Sequence, residues 1–301
     1  MNKNLTIGYL SAILASALFG AVPTIAKPVT SNISILLLSS MAYLIAALTF
    51  TPIIKKSKLS FTKKDYYILV TVAICGAAIA PYLYFVGLRQ SSAVDTSLLS
   101  NAEIMFTVLF SLLFFKEKLK PIGFISAGLV LAGVVIVTTN IQFSESLFRP
   151  NIGHFLIIGA TILWALDNNL SRILSVKIDT ARLVQLKSAI GGSVLLGITF
   201  LLQIPLGINP VQIPYIILLS VFGFGGSLYF FLQSLKRIGT IETIMIFSSS
   251  SVFGLVFAAI FLHEQISLYQ IIAIAIMLIG IFLINRRGNA NKQPESKSFG
   301  F

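Results

Sequence analysis

Charge is what this sequence has least of. Only 11% of its 301 residues are Asp, Glu, Lys or Arg, against about 25% in an ordinary soluble domain. With 56% of the chain apolar, one water-soluble globule has nowhere to hide that surface, and lipid must cover most of it. A single cysteine, Cys75, lies inside an apolar run, which excludes an intrachain disulfide. The two histidines, His154 and His263, are far apart and make no metal motif. Both read as residues near a membrane interface. There is no Walker A loop, so direct driving by ATP is not expected, and no cofactor is implied. Nor is there a G-x-S-x-G elbow, an HExxH or a cysteine–histidine arrangement for hydrolysis. Acidic residues are scarce too, ten against 22 basic, for a net charge of +12. In a soluble chain that balance points to nucleic acid. Here the cations fall in gaps between apolar runs, where they set orientation in a bilayer, and no nucleic-acid partner is expected.

What the chain has is apolar length. Crossing the hydrocarbon core takes about 20 predominantly apolar residues. Ten stretches qualify, at 5–26, 33–54, 66–87, 93–115, 121–139, 153–175, 183–204, 212–235, 241–262 and 267–285. In lipid each backbone group must be paired within its own segment or a closed barrel. Runs of this length without period-two alternation are helices. The expected fold class is therefore an all-α membrane protein of ten transmembrane helices.

Nineteen of the 22 cations fall on one set of flanks. That set holds Lys3, the Lys55–Lys64 cluster, Lys116–Lys120, the Arg172–Lys187 stretch, Lys236 with Arg237, and the tail from Arg286. Only Lys27, Arg89 and Arg149 fall on the other. The sides alternate in step with ten spans, which predicts both termini in the cytoplasm and the chain in the cytoplasmic membrane. Ala15-x-Ala17 resembles a signal-peptidase site, but the apolar run is longer than a typical signal core and is repeated later. The first span therefore reads as retained.

An internal repeat organises the chain. A shift of 147 carries Gly76 to Gly223, Tyr82 to Tyr229, Asp95 to Glu242, Thr96 to Thr243, Glu117 to Glu264 and Gly133 to Gly280. The first helix aligns at a shift of 145, with Gly8 on Gly153, Phe19 on Trp164 and Lys27 on Arg172. The halves read as residues 1–139 and 153–285, with an extracellular linker at 140–152 and a polar cytoplasmic tail at 286–301. Each half has five spans, an odd number, so the halves enter the membrane with opposite polarity. Inverted repeats suit alternating access, because exchanging the halves' conformations converts an inward-open state into an outward-open one.

A charge at the bilayer centre costs at least about 2.5–3.5 kcal/mol, so an acid there is a functional candidate by default. Two qualify, Glu103 near the midplane and Asp167 slightly to the cytoplasmic side. Thr96, Ser100, Glu103, Thr107 and Ser111 share one face of a continuous helix. Its repeat mate carries Thr243, Phe247, Ser250, Gly254 and Ala258. The two faces read as opposing cavity walls, although hydroxyls bonding their own helix would give the same pattern. Asp167, Trp164 and Ser171 form another face with Asn168 beside it. That face suits either a binding site or an interhelical hydrogen-bond network. Tyr82 and Tyr229 read equally as cavity liners or interfacial anchors. Glu117 and Glu264 sit at helix ends and, with Lys27 and Arg172, read as structural or gating residues. Gly8, Ala12, Ser16 and Gly20 form a small-residue packing stripe.

The chain resembles the EamA family of the drug/metabolite transporter superfamily. The resemblance is carried by SALFGAVPTIAK (Ser16–Lys27), echoed by LWALDNNLSR (Leu163–Arg172), and by LFFKEKL (Leu113–Leu119), echoed by IFLHEQI (Ile260–Ile266). Phe19 departs from the family's usual tryptophan, and the proline common after the motif glutamate is absent at Lys118 and Gln265. The resemblance implies a ten-helix secondary transporter with a central cavity, in a family many of whose members export amino acids and other small metabolites. The expected partners are a small-molecule substrate and the lipid bilayer, with coupling to protons left open. So are monomer and homodimer. Two other readings compete, an intramembrane hydrolase using Glu103 and Asp167, and a membrane subunit of a lipid or polymer translocation complex. The hydrolase expects its two acids at one depth, whereas the sequence places them at different depths.

Overall fold

A computed structural model describes residues 3–54, 61–115, 121–139 and 151–288. These form ten helical rods: α1 Lys3–Thr30, α2 Ile35–Phe50, α3 Lys63–Arg89, α4 in two pieces, α5 Pro121–Thr139, α6 Ile152–Ser175, α7 Thr180–Leu201, α8 Pro210–Ile238, α9 in two pieces and α10 Leu268–Gly288. The pieces are Ala93–Leu99 (α4a), Ala102–Phe115 (α4b), Thr240–Phe247 (α9a) and Ser250–Phe261 (α9b). No strand occurs among the described residues. Six described stretches are long and apolar enough to cross a membrane on length and composition alone. The all-α, ten-span reading holds. Of the linker expected at 140–152, only Asn151 and Ile152 are described, and Ile152 already belongs to α6, which Asn151 caps. Helix α10 runs to Gly288, past the expected start of the tail.

The repeat is visible in the packing. Helix α1 packs mainly on α8 and α9, and its repeat mate α6 packs mainly on α3 and α4. Helix α2 lies against α7, and α5 against α10. Each half thus lends its first helix to the other, and the interior is built from both. The small-residue stripe of α1 serves that contact. A Cβ on Gly8 would meet Ile238 Cγ2 at 2.5 Å, and one on Gly20 would meet the Ser250 carbonyl at 2.5 Å. Ser16 Oγ also donates to the Ile246 carbonyl at 2.9 Å, across the two halves.

Two kinds of irregularity recur in matching places. Helix α3 contains a π turn at Cys75–Ile79 and α8 one at Leu219–Gly226. Ala80 N–H donates to the Cys75 carbonyl, and Ser227 N–H donates to that of Phe222, the same five-residue step at the same 147-residue shift. In α3 the cause is local. Pro81 lacks an N–H and its ring crowds the carbonyl four residues back, which widens the turn. In α8 the run Gly223, Gly225 and Gly226 makes the widening easy. Both α4 and α9 break into pieces at three-residue turns. Ile104 N–H donates to the Asn101 carbonyl, and Ser251 N–H donates to that of Ser248, again 147 residues apart. The hydropathy run continues through these breaks, so they leave no mark in composition.

Candidate functional site

A cavity lies between the halves at the level of the π turns and helix breaks. It is lined by Phe19, Tyr43, Gly76, Glu103, Trp164, Asp167, Asn168 and Lys187, and by Phe224, Ser227, Leu228, Phe231 and Phe247. Its empty space, open mouth included, is about 450 Å3. Eight helices reach it, α1 to α4 and α6 to α9, so both halves contribute.

Its charged floor is a group of three. Lys187 is 1% exposed, and its ammonium donates to Asp167 Oδ2, itself 2% exposed. Ser171 Oγ donates to the other carboxylate oxygen at 2.8 Å. Glu103, 7% exposed, accepts a hydrogen bond from Asn168 Nδ2 at 2.6 Å. Among the described residues no cation stands within ion-pair distance of Glu103. The site therefore holds two carboxyl groups and one ammonium, with one acid left over. In a low-dielectric interior an unbalanced charge is costly, so the spare acid calls for a proton or a cationic group.

The π turn in α3 supplies the site's backbone. Widening frees the Gly76 carbonyl, which accepts hydrogen bonds from Tyr43 Oη at 3.1 Å and from Trp164 Nε1 at 3.0 Å. Gly76 has no side chain because Asp167 occupies the space. A Cβ there would lie 2.8 Å from Asp167 Cβ and closer still to its carboxylate. Ala normally improves a helix over Gly by about 0.5–1 kcal/mol, but overpacking a filled interior costs about 1–3 kcal/mol. Gly76→Ala is therefore expected to lower stability, by about 1–3 kcal/mol in thermal unfolding of the purified protein. A variant as stable as the parent would mean that the Asp167 carboxylate is not held against α3.

Aromatic rings close the remaining sides. Phe19 meets Trp164 edge-on with centroids 5.6 Å apart and lies 5.3 Å from Phe247. Tyr43 and Phe224 are 5.1 Å apart. Such walls accommodate apolar groups and attract cations over their faces.

Of the residues singled out in the sequence, Glu103, Asp167, Trp164 and Asn168 come together here. The two acids line one cavity. Ser100 and Ser250 instead line a smaller recess beside Phe19 and Tyr84. Thr107 is buried, but only its backbone carbonyl is engaged, accepting from Asn169 Nδ2 at 3.0 Å. The hydroxyls of Thr96 and Ser100 donate to carbonyls four residues back, at 2.7 and 2.8 Å. The expected polar stripe assumed one continuous helix, and the break at Ser100–Asn101 takes its members out of line. Tyr82 is half-buried and Tyr229 stacks on Phe50 at 5.3 Å; neither lines the cavity.

The positively charged set also needs a correction. Lys187, read as a flanking cation, lies two turns inside α7 and belongs to the site. The spacing alone offered a signal, since Lys187 follows the start of the expected span by four residues and an intramembrane acid precedes it. His154, read as an interfacial residue, is 2% exposed.

The two ends of the bundle differ. At one end Lys27 Nζ donates to the carbonyls of Leu88, Arg89 and Ser91. Arg89 returns the contact to the Thr30 and Ile33 carbonyls. Glu264 accepts from the Ala93 and Val94 amides, both at 2.9 Å, and so caps α4a. At the opposite end, Asn4, Asp179, Thr180, Gln233, Lys236 and Arg237 surround a hollow open to solvent. Lys177 there pairs with Asp65 at 2.7 Å. Arg172, the mate of Lys27, is half-buried in the last turn of α6, and Glu117 lies outside the described residues.

A two-halved helical bundle with a charged cavity between its halves defines a membrane transporter of the drug/metabolite type. The chain belongs to the EamA-like transporter family, which it matches over residues 6–139 and again over residues 151–286. It is 33% identical over 297 residues to an uncharacterized transporter of Methanothermobacter thermautotrophicus, spanning 93% of this chain and 87% of that one. The uncharacterized transporter YyaM of Bacillus subtilis is 23% identical over 245 residues, covering 80% and 79% of the two chains. A solved crystal structure shares the fold with a TM-score of 0.70 and 16% identity, over 95% of this chain and 99% of that chain.

Proposed function

We propose that this chain is a secondary active transporter that exports small amine-bearing metabolites, amino acids among them, across the cytoplasmic membrane in exchange for protons. The observation that carries this reading is the spare acid. Glu103 faces a cavity in which Lys187 already neutralises Asp167. A substrate ammonium and a proton satisfy that acid equally in charge and exclude each other in space, which is the requirement for coupled exchange. A substrate carboxylate has the Lys187 ammonium within the same cavity, and the aromatic walls take an apolar side chain. The inverted halves, each with its own π turn and broken helix, provide matched positions at which helices bend.

The test is flux. The purified protein in proteoliposomes, under an imposed pH gradient, should move labelled amino acids and move protons the opposite way in a dye readout. Absence of flux for every amine-bearing compound tried would sink the reading. Product formation in detergent without a gradient would favour the hydrolase instead.

Orientation has its own test. The cation bias, now without Lys187, puts both termini and the hollow end in the cytoplasm. In a Cys75→Ala background, a cysteine replacing Asn209 should react with an impermeant thiol reagent from outside intact cells. One replacing Val176, 76% exposed between α6 and α7, should react only after the membrane is opened. The reverse pattern would invert the protein.

A further inference from the structure

A second titratable cluster lies away from the cavity, at the laced end of the bundle. The first turns of three helices meet there: His154 from α6, Asp95 from α4a, and Tyr269 with Gln270 from α10. His154 is 2% exposed and Asp95 8%. Neither ring nitrogen of His154 has a hydrogen-bond partner, though both are sealed from solvent. A neutral imidazole carries one N–H and one lone pair, and leaving such groups sealed and unmet is costly. His154 Nε2 stands 3.7 Å from Asp95 Oδ2, beyond the 2.7–3.2 Å of an ordinary hydrogen bond. The pair is aligned but not joined.

Among the described residues, the other polar groups nearby are already engaged. Asp95 Oδ1 is taken by Gln270 Nε2 at 2.7 Å, and its backbone N–H by Ser92 Oγ at 2.9 Å. The Tyr269 hydroxyl interacts with the Asp95 side chain as well. In the next ring Glu264 is spent on the α4a amides, and Lys27 and Arg89 on backbone carbonyls. From the linker, Asn151 donates to the Gln90 carbonyl.

We propose that His154 and Asp95 form a proton-binding site on the outer face, and that a proton taken there fastens the outer side shut. Protonation gives the imidazole a second N–H and a positive charge opposite the Asp95 carboxylate. The pair then bridges α4a of the first half to α6 of the second. A more acidic exterior therefore favours the outer-closed form and a more alkaline one loosens it. In an exporter that takes up external protons, this is the direction that returns the empty carrier to face the cytoplasm. The proposal rests on the outer placement and the exchange cycle given above, but its test does not need transport.

Thr24, one turn inward of Lys27 on α1, is 7% exposed, so its labelling should rise when the outer side parts. In nanodiscs, with Cys75→Ala, maleimide labelling of Thr24→Cys is measured relative to Asn209→Cys, and the same pH series in the two site variants below controls for the pH dependence of thiol reactivity. Between about pH 8 and about pH 5.5 the ratio should fall by about fivefold or more, within the range of ordinary coupling. In His154→Gln and in Asp95→Asn it should stay flat. Two isosteric variants on different helices are used so that misfolding of one leaves the other informative, with monodisperse elution as the check. A flat ratio in the parent overturns the site, and so does an undiminished pH response in either folded variant. If the response is present while proteoliposome flux is absent, the site stands and the transport reading falls.

Discussion

Lys187→Met is expected to destabilise the protein by about 3–5 kcal/mol, the cost of leaving one member of a buried ion pair without its partner. Lys187 and Asp167 are both almost wholly enclosed, so water cannot replace the lost ammonium. Met has a similar length and an apolar stem, which keeps the volume and isolates the charge. The same reasoning predicts recovery in the double variant. Replacing Asp167 by Leu as well removes the stranded carboxylate, and exchanging a whole buried pair for apolar residues is often neutral or stabilising by about 1–4 kcal/mol. Thermal unfolding in one detergent measures all three proteins. A single variant as stable as the parent would mean that water from the cavity mouth solvates the stranded carboxylate. Flux should be lost in both variants, because the double restores packing and not the charge that faces substrate.

Glu103→Gln is expected to lower pH-gradient-driven flux by about 100-fold, near the upper end of measured coupling, while stability changes by no more than about 1 kcal/mol. Gln keeps the shape of the acid and retains an oxygen to accept from Asn168 Nδ2. It cannot exchange a proton, so it fixes the site in its neutral form. Counterflow, in which labelled substrate exchanges for unlabelled without a gradient, should survive if the acid serves coupling alone. A Gln variant with the parent's rate and pH dependence would make Glu103 a packed neutral acid. Asp167 would then be the better candidate for coupling.

These two residues show what sequence could and could not reveal. Glu103 was legible because an acid ten residues into an apolar run has few reasons to be there. Lys187 was less legible, because the Arg172–Lys187 stretch looks like one cluster of flanking cations, and its place four residues inside the expected span was the mark against that reading; α7 in fact begins at Thr180 and carries its lysine inward. The ten spans and the repeat were legible because length, charge alternation and a gapless shift are properties of the chain alone. The aromatic walls were not. Phe224, Phe231 and Phe247 face the cavity, while Phe222 and Phe261 are exposed on the outside, and in an apolar span both kinds look alike. The helix breaks were invisible for a related reason. Ser100–Asn101 and Ser248–Ser249 contain neither Pro nor Gly, so no local rule marks them.

The π turns carry a consequence for the symmetry of the bundle. A π turn holds one more residue than the α-helical path it replaces. Ala80 and Ser227 make their five-residue bonds at positions separated by the same 147 residues that align the flanking helices. The two bends therefore sit at equivalent positions, and each half carries its own point of flexure at the level of the cavity. The lone glutamate breaks that correspondence, since Ser250 stands where Glu103 would repeat.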